Sequence, residues 1–187
     1  MQALRRTAWR WLWPGLLGLA GVGSALAQGC GPTRLKVTET ATLDMTPAKS
    51  WALVGDFQDL AWDAETTGVR GTGGNKPEDA RRTVTLKSGR TLDETLYRYD
   101  AAGMSYAYHV DRVDVAELPI QNASATLEVV RAADGAKSEI RWKFAFYRNL
   151  APGEGAPDAA DGKAVEAVKR FLRASLAGFA RKADPRT

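Results

Sequence analysis

Three features of the 187-residue chain predict an α+β domain: an early alternating run, a central series of alternating segments separated by short polar turns, and one long amphipathic stretch near the end. Strands that follow one another, with helices grouped apart, leave a sheet with one apolar face that a helix must cover. The strands number six or seven. No internal repeat or interdomain linker interrupts the pattern. One domain with a substantial core accounts for the chain beyond its first thirty or so residues.

In chain order, RLKVTETATLD (Arg34 to Asp44) alternates, with Leu35, Val37, Ala41 and Leu43 on one face, and predicts the first strand. Glu39 falls on the same apolar face, as an inward acid or as a strand-end residue reaching solvent. Thr46 and Pro47 have the form of an N-cap and first helical position. The short helix they begin carries Trp51, Leu53 and Val54, and a second very short helix or turn follows from Gln58 to Trp62. TGVRGTGGNKPEDA (Thr67 to Ala80) reads as a glycine-rich loop.

The pattern then becomes β. RRTVTLK (Arg81 to Lys87) and TLDETLYRYD (Thr91 to Asp100) flank Ser88-Gly89-Arg90 as a hairpin. SYAYHVD (Ser105 to Asp111), ASATLEVVRA (Ala123 to Ala132) and SEIRWKFAFYR (Ser138 to Arg148) follow, the last two joined by the turn Ala133-Asp134-Gly135. APGEGAPDAADG (Ala151 to Gly162) is a loop by composition. From Gly162 to Lys182, helical spacing aligns Val165, Val168, Leu172, Leu176 and Phe179 on one stripe. A curved sheet closed over such a helix leaves a space between them, a natural ligand cavity.

The first 27 residues have the three-part layout of a secretory signal peptide: Arg5, Arg6 and Arg10, then the apolar LWPGLLGLAGVGSALA, then Ala25-Leu26-Ala27 as a small-x-small cleavage site. Residues 28–33 are a linker, 34–183 the domain and 184–187 a tail. The destination is the periplasm or the exterior. Cys30, in LAQGC, gives a second reading in which the leader ends at residue 29 and Cys30 is acylated. Membrane contact is then confined to the leader or to that anchor. Cleavage removes three arginines and no acid, leaving 23 basic and 22 acidic side chains, which gives no electrostatic footprint for nucleic acid.

One cysteine and one histidine exclude an internal disulfide and a His/Cys metal cluster, and no cofactor motif is present. Gly71-Thr72-Gly73-Gly74-Asn75-Lys76 lacks the second glycine before lysine and is followed by Pro77, so it is no phosphate loop. Alternation puts His109 on the solvent side, opposite Tyr106 and Tyr108.

Hairpin parity supplies the site candidates. A three-residue loop pairs Leu86 with Leu92, Val84 with Glu94 and Arg82 with Leu96, and puts Leu86, Leu92, Val84 and Leu96 on one face with Arg82 and Glu94 as diagonal neighbours. Buried charges must be paired. The pair is either a structural ion pair or a polar anchor for a ligand. Tyr106 and Tyr108 share a strand face, as do Ile140, Trp142, Phe144 and Phe146, and each ring serves either core packing or ligand contact. Trp51 belongs to the core, and Phe57 and Trp62 close one end of the hollow.

WALVGDF followed by Trp62 resembles the first helices of the START-like, or Bet v 1-like, helix-grip superfamily, which includes polyketide cyclase/dehydrase and lipid-transport types. RRTVTLKSGRTLDETLYRYD, SYAYHV, LPIQNASATLEV and IRWKFAF are similar to its successive strands, so the resemblance spans about residues 34 to 182. It departs where relatives carry Pro-x-x-Asn-Tyr, since this chain has Pro119-Ile120-Gln121-Asn122-Ala123, and where they carry a Trp-His-Pro turn, since it has Trp62-Asp63-Ala64. The resemblance implies a curved sheet around the last helix and a hydrophobic small-molecule ligand, lipid, aromatic or isoprenoid-like. The lining expected is Arg82, Val84, Leu92, Glu94, Leu96, Tyr106, Tyr108, Ala123, Trp142 and Leu172. A cyclase- or dehydratase-like enzyme with Glu94 as acid/base is the alternative. A non-catalytic envelope interaction protein, with a filled core and an exposed apolar patch, is the third reading.

Overall fold

The computed structural model describes residues 33–133, 135–149 and 157–182. The expected signal peptide, Cys30, Asp134, the first half of the expected 151–162 loop and the 184–187 tail lie outside them. Seven strands form one antiparallel sheet: β1 (Leu35–Leu43), β2 (Thr66–Thr72), β3 (Arg81–Leu86), β4 (Thr91–Asp100), β5 (Ser105–Val113), β6 (Ile120–Arg131) and β7 (Ser138–Arg148). Their order is β1-β7-β6-β5-β4-β3-β2, so every neighbour is a hairpin except β1, which pairs with the last strand. Helices α1 (Pro47–Val54) and α2 (Pro157–Lys182) complete the α+β fold, with α2 packed on β1 and β7.

Several expected details differ. Residues 67–80 are not one loop, because Thr66 to Thr72 pair with Arg81 to Leu86 as the sheet's outermost strand, where the cost of glycine is smallest. The turn comes at Gly73 and Gly74, both at positive φ. One helix, not two, follows β1: beyond Val54 the chain makes tight turns closed by Asp59 N–H to Asp56 O and Asp63 N–H to Leu60 O. Pro47 does open α1 and Thr46 is its N-cap residue, though the Thr46 hydroxyl makes no cap bond. Helix α2 begins at Pro157, a full turn before Gly162.

The β3–β4 register also differs by two. Arg82 faces Glu94 and Val84 faces Leu92, because the turn takes in Leu86 to Arg90: Gly89 N–H bonds Leu86 O, and Leu86 N–H bonds Arg90 O. An even shift leaves each side chain on its face. It brings Arg82 and Glu94 from a diagonal to directly opposite positions.

Four single-residue bulges curve the sheet around its inner face. The extra residues are Thr67 in β2, Tyr97 in β4, Asp111 in β5 and Asn122 in β6. The last three let residues three apart face inward: Leu96 and Tyr99, Val110 and Val113, Ile120 and Ala123. The Asn of the Pro-x-x-Asn segment therefore has a conformational job. Its φ is 46°, a region that asparagine and glycine enter more readily than other residues.

Asn122→Gly should leave the thermal midpoint unchanged or slightly higher. Asn122→Val should cost about 1–3 kcal/mol in urea unfolding, as expected for a β-branched residue forced to positive φ. Equal stability of the two variants would contradict the bulge assignment.

Candidate functional site

Alternation along β3 and β4 drives two charges into the core. Arg82 and Glu94 are each 3% exposed, and Arg82 Nε donates to Glu94 Oε2 at 2.6 Å. The guanidinium also donates through Nη1 to the Phe57 carbonyl, and its carbon stands 4.0 Å from the Phe57 ring centre and 5.1 Å from that of Tyr108. The charge is thus clamped between sheet and turn. Burial pushes the Glu94 carboxyl upward, with Arg82 opposing that shift; burial also pulls Arg82 down, but the charges around it, Glu94 first, hold it above its ordinary value.

Around the pair stands an aromatic wall. Trp142 Nε1 donates to the Tyr108 hydroxyl at 2.9 Å. Burial pushes Tyr106 up to about 12 and Tyr108 well above its usual value, so both hydroxyls keep their protons at neutral pH. Phe57 packs on Tyr106 and Tyr108 at centroid distances of 5.9 and 5.8 Å. Trp51 rests on Tyr99 and Tyr106, and Trp62 is wedged between Trp142 at 5.4 Å and Phe179 of α2 at 4.8 Å. The three rings near the N terminus therefore pack on the protein itself.

All ten residues expected to line a hollow are brought together on the inner face or on α2, and all are buried. The hollow itself is not open along them. Leu96, Tyr108 and Leu172 have no exposed surface, and the other seven have 1–3%. A side chain without accessible surface cannot border a void that water enters. The physical reason is the turn after α1: α2 covers β1 and β7, Phe57 fills the space over Arg82 of β3 and Tyr106 and Tyr108 of β5, and Trp62 closes the gap between β7 and α2. A concavity of about 500 Å³ does exist, and Arg82 and Glu94 are among the residues that border it, but most of its lining, Arg70, Arg81, Thr83, Asp93, Asp111 and Arg112, belongs to the polar outer side of the sheet.

Two further candidates resolve simply. His109 is exposed and stacks on Tyr97 at 4.4 Å, on the outer face as alternation requires. Glu39 turns toward α2 and takes a bond from Arg173 Nε at 2.9 Å.

Sequence reasoning missed a second polar group, at the seam between the Trp62–Ala64 turn and α2. Asp63 is 6% exposed and accepts from Glu65 N–H at 2.8 Å and the Thr66 hydroxyl at 3.0 Å. Burial raises its pKa against those bonds. Ser175 is fully buried, and its carbonyl accepts the Ala64 N–H at 3.1 Å. Its hydroxyl makes no well-formed hydrogen bond, although it lies close enough to Asp63 to favour the ionised carboxylate. The Trp62 indole N–H is buried without an acceptor. A serine one position before Leu176 on the apolar stripe was the available signal. Gly178 permits the close approach, since a Cβ there would sit 2.1 Å from the Trp62 carbonyl oxygen.

Among known proteins, a family model described as polyketide cyclase / dehydrase and lipid transport matches residues 34–184. The XoxI protein of Bacillus cereus is similar in structure, with a TM-score of 0.66 and 18% identity, over 79% of this chain and 94% of that one. A Bacillus thuringiensis protein is similar at a TM-score of 0.67 and 17% identity, over 80% and 98%. The Zhui aromatase/cyclase of a Streptomyces species is similar at 0.63 and 16%, over 81% and 94%. No curated protein matches the sequence.

Removing one member of the buried pair should be far worse than removing both. Arg82→Met or Glu94→Leu alone should cost about 3–5 kcal/mol by urea unfolding, and the double variant clearly less than either. Additive losses would contradict a coupled pair. A pH series checks Asp63. Its raised folded-state pKa makes a stabilising contribution that is fully present below the unfolded value and lost as pH rises through the folded one. Wild type should therefore lose stability relative to Asp63→Asn as pH rises above the ordinary aspartate range; the opposite trend would contradict the assignment.

Proposed function

Because the chain belongs to the polyketide cyclase/dehydrase and lipid-transport family, we propose that it binds one small hydrophobic molecule, lipid, aromatic or isoprenoid-like, on the inner face of its sheet, and does so outside the cytoplasm. The observation that carries this reading is the Arg82–Glu94 pair inside an apolar wall. Apolar residues of the same volume would fill that place at no desolvation cost, so stability alone does not account for the pair. Apolar walls with a few fixed polar groups are what a ligand site needs.

The ligand would enter by transient opening of the turn that carries Phe57 and Trp62, after which Phe57 stays displaced and Trp62 returns to its place against α2. Those rings belong to a segment outside both the sheet and the helices, whereas the strands beneath are tied by continuous ladders. The ten inward residues would then form its walls, with the hydroxyls of Tyr106 and Tyr108 as neutral donors near Arg82.

Two other readings are less well supported. The Zhui protein is an aromatase/cyclase, and the corresponding chemistry here would fall to Glu94. Held by Arg82 at 2.6 Å, that carboxylate is compensated rather than free to exchange a proton. An envelope interaction protein would expose an apolar patch. Among the described residues, the exposed large hydrophobics are Leu53 and Val115, isolated on α1 and on the β5–β6 loop.

Native mass spectrometry of purified protein should show a mass increment lost on denaturation, and N-phenyl-1-naphthylamine should bind saturably at one site per chain. Folded protein with neither property would contradict the binding reading. Mass spectrometry of the N-terminal peptide should find Gln28 or an acylated Cys30; an intact Met1 terminus would contradict export.

A further inference from the structure

We propose that the seam between the Trp62–Ala64 turn and α2 is the polar end of the ligand site, and that it selects a neutral oxygen, as in an alcohol, phenol or ketone, over a carboxylate or a bare hydrocarbon. This rests on the binding reading above and specifies the ligand's chemistry.

The indole N–H of Trp62 is buried, and no atom of the described residues accepts from it. Native cores rarely tolerate this, since an unmade bond to a buried donor costs about 1–3 kcal/mol. The ring cannot easily turn toward water, because Trp142 meets one of its faces edge-on and Phe179 stacks on it at 4.8 Å. Ser175 lies one helical turn before Phe179 on α2, and its buried hydroxyl also lacks a well-formed bond. Two independent side chains, one from the turn and one from the helix, thus leave hydrogen-bonding capacity unused along a single seam.

The seam's charges decide what can fill it. Asp63 and Glu94 are two buried carboxylates, the first acting on the second, and Arg82, the one buried cation among the described residues, acts on both. An incoming carboxylate would meet net negative charge in a region of low dielectric, where repulsion is weakly screened. An ammonium would suit the acids but could not accept from Trp62. A hydrocarbon would leave the indole unpaired. A hydroxyl can accept from Trp62 Nε1 and donate toward Ser175 or Asp63; a ketone meets the first requirement.

Three matched probes separate these cases: 2-naphthol, naphthalene and 2-naphthoate, each competing with N-phenyl-1-naphthylamine at neutral pH. Wild type should bind 2-naphthol about two- to tenfold more tightly than naphthalene, the worth of one neutral hydrogen bond, and should bind 2-naphthoate least. Trp62→Phe keeps an aromatic ring and removes the N–H, so the naphthol-to-naphthalene ratio should fall toward one. Asp63→Asn should raise 2-naphthoate affinity relative to 2-naphthol, which keeps the proposal testable if Trp62→Phe does not fold. Equal binding of naphthol and naphthalene, preference for naphthoate, or a ratio unchanged in Trp62→Phe would overturn the selectivity while leaving the binding reading intact. Failure of the fluorescent probe and all three competitors on folded wild type would overturn both.

Discussion

The buried contact between Arg82 and Glu94 is the constraint around which this molecule is arranged. An unpaired charge at that depth would cost several kcal/mol, so each partner requires the other in place. Meeting that requirement fixes much else. The β3–β4 register must set them opposite each other, and the turn after α1 must bring the Phe57 carbonyl to the guanidinium. The Phe57 ring then lies on the cation's face, against Tyr106 and Tyr108. The polar pair therefore positions the apolar plug that closes the interior.

A closed interior in a fold associated with small-molecule ligands is not contradictory once the source of closure is considered. The sheet is held by six antiparallel ladders and curved by four bulges, all of them backbone features. The filling comes instead from a short turn segment outside the sheet and helices, anchored by the Phe57 carbonyl to Arg82, Phe57 N–H to Asn75, the Gln58 amide to the Thr72 and Gly74 carbonyls, and Ala64 N–H to Ser175. Ligand-binding segments are drawn from the parts of a protein that open locally. On the proposed binding reading the walls are permanent and the plug is exchangeable.

The fold was largely legible in the sequence because it is written in periodicity. Leu86, Leu92, Leu96, Tyr106, Tyr108 and Trp142 fall inward by alternation alone, and the stripe through Val168, Leu172 and Phe179 identifies α2. Two kinds of feature were hidden. Register within a hairpin depends on how many residues the turn consumes, and Leu86, an apolar residue drawn into pairing with β2, gave no local sign of it. Whether a concave face stays empty depends on side chains far away in sequence. The sequence shows Phe57 and Trp62 to be large, but their depth follows from the path of a turn that has no periodic pattern. Asp63 and Ser175 were missed for the same reason: neither is unusual alone, and only the tertiary approach permitted by Gly178 brings them to one seam.

The claim that permanent walls stand behind an exchangeable plug can be tested by amide hydrogen exchange, with and without N-phenyl-1-naphthylamine at saturation. The account predicts that residues 57–64 exchange much faster than β4 to β7 in the free protein, and that the probe slows the turn and the facing residues of α2 by about tenfold or more. A turn as protected as the strands when free, and unchanged by the bound probe, would contradict it.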